Sequence, residues 1–411
     1  MLCQNISAAG CDPQSVLVVG GGVAGMQAAL RLSDLEIPVL LVEKQACLGG
    51  MVMRLDKVYP TDHCAFCPTW STALACYQAS LIQVVPNATV TDLTTDGEQI
   101  TASLRLQKPA VDPALCLFCG ACRSICQRKA LLERDPKMTW DPALPPVMQI
   151  NTSLCDRCGQ CVSVCPVQAI DLSRDEEELK LTVADVILAT GFEEPQPSDP
   201  RQAPEFGAGS HPDILTAMEF EAWYNESRGT EVLSTPSAGK NVQRLAFIQC
   251  AGARDQRHLP YCAAVCCMHA MKQARWVKRR QPALDITIFY TDLRAPGAGQ
   301  ELYMRQGAQA GIRLVRARPG LVMASEDRGI GVRYEEPESG QAVGESFDLV
   351  VINGGLAQCR LPAEIKNPSA PLPLRRCGFC SEPADIATSV IQGAAQAYAV
   401  AQRRQIQGGA Q

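Results

Sequence analysis

No apolar run in this chain approaches the ~20 residues that a helix needs to cross a bilayer. The first twelve residues, Met1 to Asp12, are polar and lack the basic-then-apolar order of a secretory leader. The sequence therefore predicts a cytoplasmic protein, any membrane connection of which comes through a partner. Aromatic side chains are scarce (5%) and the net charge is −5, which excludes the basic, aromatic-laced surface of a nucleic-acid binder. A second G-x-G-x-x-G is also missing from the later half, where a nicotinamide-dependent reductase of two-nucleotide design needs one.

Cysteine, by contrast, is abundant, with 21 in 411 residues. They fall in tight groups, whereas disulfide frameworks scatter, and the cytosol keeps thiols reduced. Metal binding or redox chemistry is the expectation. The length allows two or three domains.

The chain is organised around Ser15 to Glu43. A buried-type strand, Val16 to Val19, runs into Gly20-Gly-Gly-Val-Ala-Gly25 and a helix through Leu32. A second strand, Pro38 to Val42, then ends on Glu43. In the fingerprint Gly20, Gly22 and Gly25, the first glycine permits the tight turn. The second lets a pyrophosphate approach the backbone, and the third lets helix and strand pack closely. Free N–H groups at the helix start face the phosphates. Glu43, with Lys44 beside it, is placed for a ribose hydroxyl. Gly49 and Gly50 suit a loop folding back over the pyrophosphate of FAD. Cys64-x-x-Cys67 is a ligand pair or a redox dithiol. Two cysteines cannot hold a [4Fe–4S] cluster unaided, and Cys377 and Cys380 are candidates to complete the set.

From Cys116 the sequence changes character. Cys116, Cys119, Cys122 and Cys126 form C-x₂-C-x₂-C-x₃-C, and Cys155, Cys158, Cys161 and Cys165 repeat it. This is the bacterial two-cluster ferredoxin run, in which each fourth cysteine serves the other cluster. The expected sets are Cys116, Cys119, Cys122 and Cys165, and Cys155, Cys158, Cys161 and Cys126. Paired zinc sites are the alternative. A strand, Val183 to Leu188, then leads into Ala189-Thr190-Gly191, where flavoproteins return to the FAD domain, so the ferredoxin unit reads as an insertion. Residues 193 to 212, rich in proline, read as a surface linker.

A new βα pattern opens at Arg244 to Gln249. Cys250, Cys262, Cys266 and Cys267 stand where its glycine fingerprint would be, which points to a third cluster rather than to packed small residues. Lys278 to Arg280 read as the solvated, basic end of a helix. Further strands are expected at Asp285–Tyr290, Ile312–Val315 and Phe347–Ile352. Asp385 precedes a small-residue helix, Ile386 to Ala401, and Gln402 to Gln411 read as frayed.

These motifs resemble the A-type subunit of heterodisulfide reductase and its short relative in the quinone-interacting membrane-bound oxidoreductase complex of sulfate reducers. The matching stretches include Gly20 to Gly25, Leu48-Gly-Gly-Met51, Tyr59-Pro-Thr61 with Cys64 and Cys67, and the ferredoxin unit. They continue with Phe247-Ile-Gln-Cys250, Pro260-Tyr-Cys262, Val265-Cys-Cys267 with Lys272-Gln273, and Pro383-Ala-Asp-Ile386. The match is to a short form, without the cluster domains that flank the long one.

The resemblance implies an α/β fold of the two-dinucleotide-binding, thioredoxin-reductase-like kind with an inserted two-cluster ferredoxin domain. It implies FAD, approached by Thr190, Gly191 and Asp385, a cluster on Cys250, Cys262, Cys266 and Cys267, and no working NAD(P) site. Lys272 would lie near flavin N5, where a cation stabilises the reduced anionic flavin. Expected partners are a homologous flavoprotein/Fe–S subunit, a membrane haem or Fe–S subunit linked to menaquinone, and adenylylsulfate reductase. The corresponding division is 1–110 (FAD domain), 111–175 (ferredoxin), 176–240 (return and linker), 241–356 (degenerate nucleotide domain) and 357–411 (FAD domain again). Rivals are a soluble electron-bifurcating subunit, an NAD(P)H oxidoreductase resembling the small subunit of glutamate synthase, and a cysteine-rich metal-storage or zinc scaffold.

Overall fold

A computed structural model describes residues 12–96, 99–107, 109–112, 114–132, 148–150, 154–173, 176–195, 203–226, 232–325, 329–359 and 374–408. The chain divides into two compact units, one formed by residues 1–53, 66–191 and 358–411, the other by 54–65 and 192–357.

The first unit is built on a five-stranded parallel sheet. Its strands lie in the order Arg375–Arg376, Asp185–Leu188, Val16–Val19, Val39–Val42 and Ile82–Val85. The central runs are continuous Val and Leu, buried on both faces, as inner parallel strands require. Side chains alternate between two cores. Val16, Val18, Val39 and Leu41 meet Met26, Ala29 and Leu32 of the helix Val23–Asp34 and Val400 of the helix Ile386–Gly408. Leu17, Leu40 and Val42 meet Val90, Leu104 and Leu181 of an antiparallel three-stranded sheet, Ala88–Asp96, Gln99–Gln107 and Glu176–Val183. Each such residue contributes about 1.5–3 kcal/mol of transfer free energy when fully buried. The two helices touch backbone to backbone: a Cβ on Gly393 would lie 2.2 Å from the Ala24 carbonyl oxygen.

The second unit repeats this plan with different residues. Ile214–Thr216, Leu349–Asn353, Arg244–Gln249, Asp285–Phe289 and Arg313–Val315 form its parallel sheet in that order. Leu245, Phe247 and Val351 face the helices Ala217–Glu226, Cys266–Arg280 and Gln300–Gln309. Ala246, Ile248 and Val350 face a meander of Leu321–Ser325, Gly329–Glu335 and Ala342–Phe347. By topology, the strand Arg244–Gln249 is therefore the counterpart of Val16–Val19.

The ferredoxin run leaves the antiparallel sheet of the first unit at Gln107 and returns to it at Glu176, two residues paired across one ladder. The corresponding turn of the second unit is short, between Glu335 and Ala342, which are likewise partners. The insertion thus replaces a hairpin turn.

Several sequence expectations need correction. Ala203 and Phe206 of the presumed linker are buried in the second core, while residues 196–202 lie outside the described residues. The strand before Ala-Thr-Gly starts at Asp185, because Val183 ends the antiparallel strand opposite Ile100. The last helix runs on to Gly408 rather than ending at Ala401. Lys278 is half-buried and donates to the Leu284 carbonyl at 2.7 Å, so it fastens the helix end instead of floating in solvent. The helix Ala217–Glu226 had no anticipated counterpart.

Candidate functional site

In the first unit the glycine loop divides its work between the fold and a ligand. A Cβ on Gly20 (φ +109°) would sit 2.3 Å from the Ala189 carbonyl oxygen, and one on Gly25 would sit 1.9 Å from the Gly20 carbonyl oxygen. At Gly22 the nearest atom to such a carbon is the Gly50 Cα at 4.0 Å, so this glycine faces open space. Two glycines are consumed by close packing and one clears an approach, as a dinucleotide cradle needs. Gly22 caps the helix Val23–Asp34 without a side-chain hydrogen bond, leaving first-turn N–H groups for an anion.

Glu43 is 5% exposed and accepts from Gly21 N–H at 2.6 Å and from Gln45 N–H at 2.8 Å. Burial pushes its pKa up against these bonds. It organises the loop with two lone-pair sites and keeps about two for a ribose. Lys44 is exposed beside it. Gly49 N–H donates to the Gly21 carbonyl at 2.7 Å, which docks the second glycine pair on the first. Thr190 is half-buried, and Gly191 (φ +71°) borders open space. Asp385 accepts from Thr388 N–H at 2.8 Å and so caps the helix Ile386–Gly408. The residues fit FAD.

The ferredoxin run folds into two halves that repeat one another. Cys116, Cys119, Cys122 and Cys165 line one cavity, and Cys155, Cys158, Cys161 and Cys126 line another. These are the crossed sets expected from the spacing. Phe118 (φ +53°) and Arg157 (φ +58°) take the same left-handed turn in the two halves. That turn aims Phe118 N–H at Cys116 Sγ and Arg157 N–H at Cys155 Sγ, both at 3.4 Å. Ala130 N–H and Ala169 N–H reach Cys126 and Cys165 Sγ at 3.3 and 3.2 Å. Backbone donors aimed at sulfur stabilise thiolates, the form that binds iron.

A single tetrahedral zinc ion, with Zn–S near ~2.3 Å, needs sulfurs about 4 Å apart. Among the described residues the one trio of ligand atoms close enough for a single ion, within 4.8 Å, is Glu205, Asp255 and His258. No three cysteine sulfurs among the described residues lie that close together. Cys161→Ser is expected to leave a folded protein with about four fewer irons per chain, read by iron analysis. Unchanged iron content would remove Cys161 from the ligand set.

In the second unit, the loop after Arg244–Gln249 carries Cys250 at φ +58°. Ala264 (φ +63°) turns its N–H onto Cys262 Sγ at 3.3 Å. Burial first, then neighbouring cysteines, pushes Cys266 well above the ordinary thiol value and Cys267 up to about 11. Cys250 is pushed up in the same way, by burial and then Cys262. Each of these three thiols is raised in part by other cysteines of the set, Cys262 included.

On the helix that begins at Cys266, Lys272 is 1% exposed. It donates to Glu221 Oε1 at 2.7 Å and to the Lys57 carbonyl at 3.1 Å. Glu221, fully buried, also accepts from Gln273 Nε2 (2.9 Å) and Asp56 N–H (3.0 Å) and lies 3.2 Å from His269 Nε2. Burial would raise its pKa, but Lys272 and His269 overcome this and hold it at about 2. Sequence reading missed Glu221. It stands 51 residues from Lys272 on an unanticipated helix, and no motif marks it.

Other cysteines behave differently. Cys64 is half-buried in the second unit, and Cys67 is exposed near the start of the helix Phe66–Gln78 in the first. Burial pushes Cys76 and Cys377 up to about 12. Cys380 Sγ lies 3.3 and 3.2 Å from the Leu188 and Cys377 carbonyl oxygens, which share its one S–H donor. Cys76, Cys377 and Cys380 have the geometry of packed core thiols.

Comparison with known proteins agrees with this architecture. The profile of FAD dependent oxidoreductases matches residues 15–66, and that of 4Fe-4S binding domains matches residues 148–171. Thioredoxin reductases from Lactococcus lactis and T. acidophilum superpose at a TM-score of 0.52 each. They cover 94% of this chain and 98% and 97% of their own, at 14% and 13% identity, a likeness of fold alone. Fold and site together define one component of an FAD and iron–sulfur oxidoreductase, α/β with two dinucleotide-type units and a ferredoxin domain.

More particularly, the chain is a homologue of the A-type iron–sulfur subunit of heterodisulfide reductase. It is 38% identical to the second A-type iron–sulfur subunit of the CoB–CoM heterodisulfide reductase of Methanopyrus kandleri. It is 33% identical to the A-type subunit of the H₂:CoB–CoM heterodisulfide, ferredoxin reductase of Methanothermobacter marburgensis. Each match covers 83% of this chain and 53% of the relative, so the chain spans about half the length of these proteins. No helix among the described residues is long and apolar enough to cross a membrane.

Proposed function

We propose that this chain is the FAD and iron–sulfur electron-transfer subunit of a quinone-interacting membrane-bound oxidoreductase complex. It passes electrons between the menaquinone pool and a soluble partner such as adenylylsulfate reductase. One observation supports the flavin and iron–sulfur part of this reading. The two units share a topology, yet the first has an open glycine cradle after its leading strand and the second has Cys250 and its three companions. A flavin and a cluster then take the two places that FAD and a nicotinamide take in an ordinary reductase.

FAD, when bound, supplies interchange between two-electron and one-electron chemistry. The chain's own part is to hold and tune. Gly22 admits the pyrophosphate, the helix Val23–Asp34 offers it N–H groups, and Glu43 takes a ribose hydroxyl. Thr190, Gly191 and Asp385 are the further FAD contacts that this reading assigns. Lys272 keeps one proton beyond those engaged by Glu221 and Lys57, and in this reading it serves the flavin. The two crossed cysteine sets hold [4Fe–4S] clusters. Cys250, Cys262, Cys266 and Cys267 hold a third, and Cys64 and Cys67 contribute to a further one with ligands from elsewhere. The partners are a homologous flavoprotein/Fe–S protein and a membrane haem or Fe–S protein of the same complex, which hold the chain at the cytoplasmic face of the inner membrane.

A second reading, an electron-bifurcating subunit, is favoured by the Methanothermobacter relative, whose name pairs a heterodisulfide with ferredoxin. Anaerobic purification of the native complex separates the two. The quinone-linked reading expects a membrane protein in the complex, about twelve or more irons per chain, and cluster reduction by a menaquinol analogue. Co-purification with a hydrogenase or formate dehydrogenase, and no response to the quinol, would replace it with the second reading.

A further inference from the structure

We infer that the side-chain amides of Gln249 and Asn353 donate hydrogen bonds to the sulfur atoms of the cluster on Cys250, Cys262, Cys266 and Cys267, and so set its potential. This rests on the third-cluster assignment above and adds two residues to it. Gln249 and Asn353 end adjacent parallel strands and are partners in register. They are 1% and 3% exposed. Nonetheless Gln249 Nε2 and Oε1 and Asn353 Nδ2 have no hydrogen-bond partner among the described residues.

A buried polar group left unpaired costs about 1–3 kcal/mol. Three such atoms on neighbouring residues mark a place where something else completes the bonds. Strand alternation shows what they face. Leu245 and Phe247 precede Gln249 at even spacing, Leu349 and Val351 precede Asn353 likewise, and all four pack with Met268 and Met271 of the helix Cys266–Arg280. Both amides therefore stand on the helix side of the sheet, at the end where that helix begins with Cys266 and Cys267.

Gln249 directly precedes Cys250, and Ala251 N–H bonds the Asn353 carbonyl at 3.0 Å, which ties the cysteine loop to both strand ends. A cluster is a pure acceptor, and amide donors suit it. Asn353 Nδ2 and Gln249 Nε2 each carry two protons, so both amides have donors for sulfur. Donors to sulfur favour the more electron-rich, reduced cluster and raise its potential.

Gln249→Met and Asn353→Leu remove the donors with little change of shape. In the anaerobically purified complex with full iron content, each is expected to move the midpoint of one cluster to more negative potential and leave the others in place. Redox titration followed by EPR reads this. Unchanged midpoints would overturn the inference while leaving the cluster assignment intact. A second measurement uses the unaltered sequence: with ¹⁵N in glutamine and asparagine side chains, the reduced third cluster should show ¹⁵N hyperfine coupling, and its absence also overturns the inference. Cys250→Ser tests the layer beneath. If it changes neither iron content nor EPR spectrum, or if NADPH binds this unit tightly, the third-cluster reading itself fails.

Discussion

Gly22→Val should give a folded protein that has lost most of its flavin, while Gly25→Ala should not fold. The two glycines lie in one loop, but their surroundings differ. Gly22 has φ −76° and ψ −177°, a conformation open to any residue. A Cβ added there makes no close contact, its nearest neighbour being the Gly50 Cα at 4.0 Å, and it stands at the approach to the helix N-terminus. Flavin retention is expected to fall about tenfold or more, where each tenfold corresponds to about 1.4 kcal/mol.

At Gly25 the obstructing atom is the Gly20 carbonyl oxygen, 1.9 Å away, with its carbon at 3.1 Å. Neither can move without parting the strand from the helix. Overpacking a core typically costs about 1–3 kcal/mol, and a clash with fixed backbone lies beyond that range. Flavin absorbance per mole and the yield of soluble protein check both expectations. A flavin-replete Gly22→Val protein would place the dinucleotide elsewhere.

Glu221→Gln is expected to destabilise the protein by about 3–5 kcal/mol, since it removes one partner of a buried ion pair and leaves Lys272 uncompensated. The sign with pH follows from the direction of the shift. Glu221 is held at about 2, below its ordinary value of 4.5. Its contribution is complete above about 4.5 and is lost as pH falls toward about 2. Urea midpoints of wild type and variant should therefore differ by a constant amount from neutral pH down to about 4.5 and converge below it. A gap that is absent at neutral pH would deny the pair its structural role. Flavin titration of Lys272→Gln examines the proposed role of this lysine toward the flavin: loss of a cation there is expected to lower the flavin potential, and an unmoved potential would separate Lys272 from the flavin.

Much of this was legible in the residues because the signals are local. A strand, three glycines and an acid within about one βα unit specify a dinucleotide cradle. Eight cysteines at fixed spacing specify crossed sets, since spacing within a run is set by the turn that Phe118 and Arg157 make. The helix Ala217–Glu226 was not legible. Its apolar face is irregular, and its central residue, Glu221, looks in sequence like any solvated acid. Its burial is decided by Lys272, 51 positions on. Gln249 and Asn353 were hidden for a related reason, because an amide at a strand end reads as a boundary residue until its partners are sought. The supposed linker failed at Ala203 and Phe206, which a proline-rich context disguised.

The pairing of Gln107 with Glu176 gives the cluster module a single doorway. Because the chain departs and comes back at facing positions of one ladder, no other strand depends on what lies between them. The two crossed cysteine sets thus sit on one exchangeable excursion of the backbone. A scaffold of this kind could gain, lose or substitute its wiring while its flavin-holding half kept every register it already had.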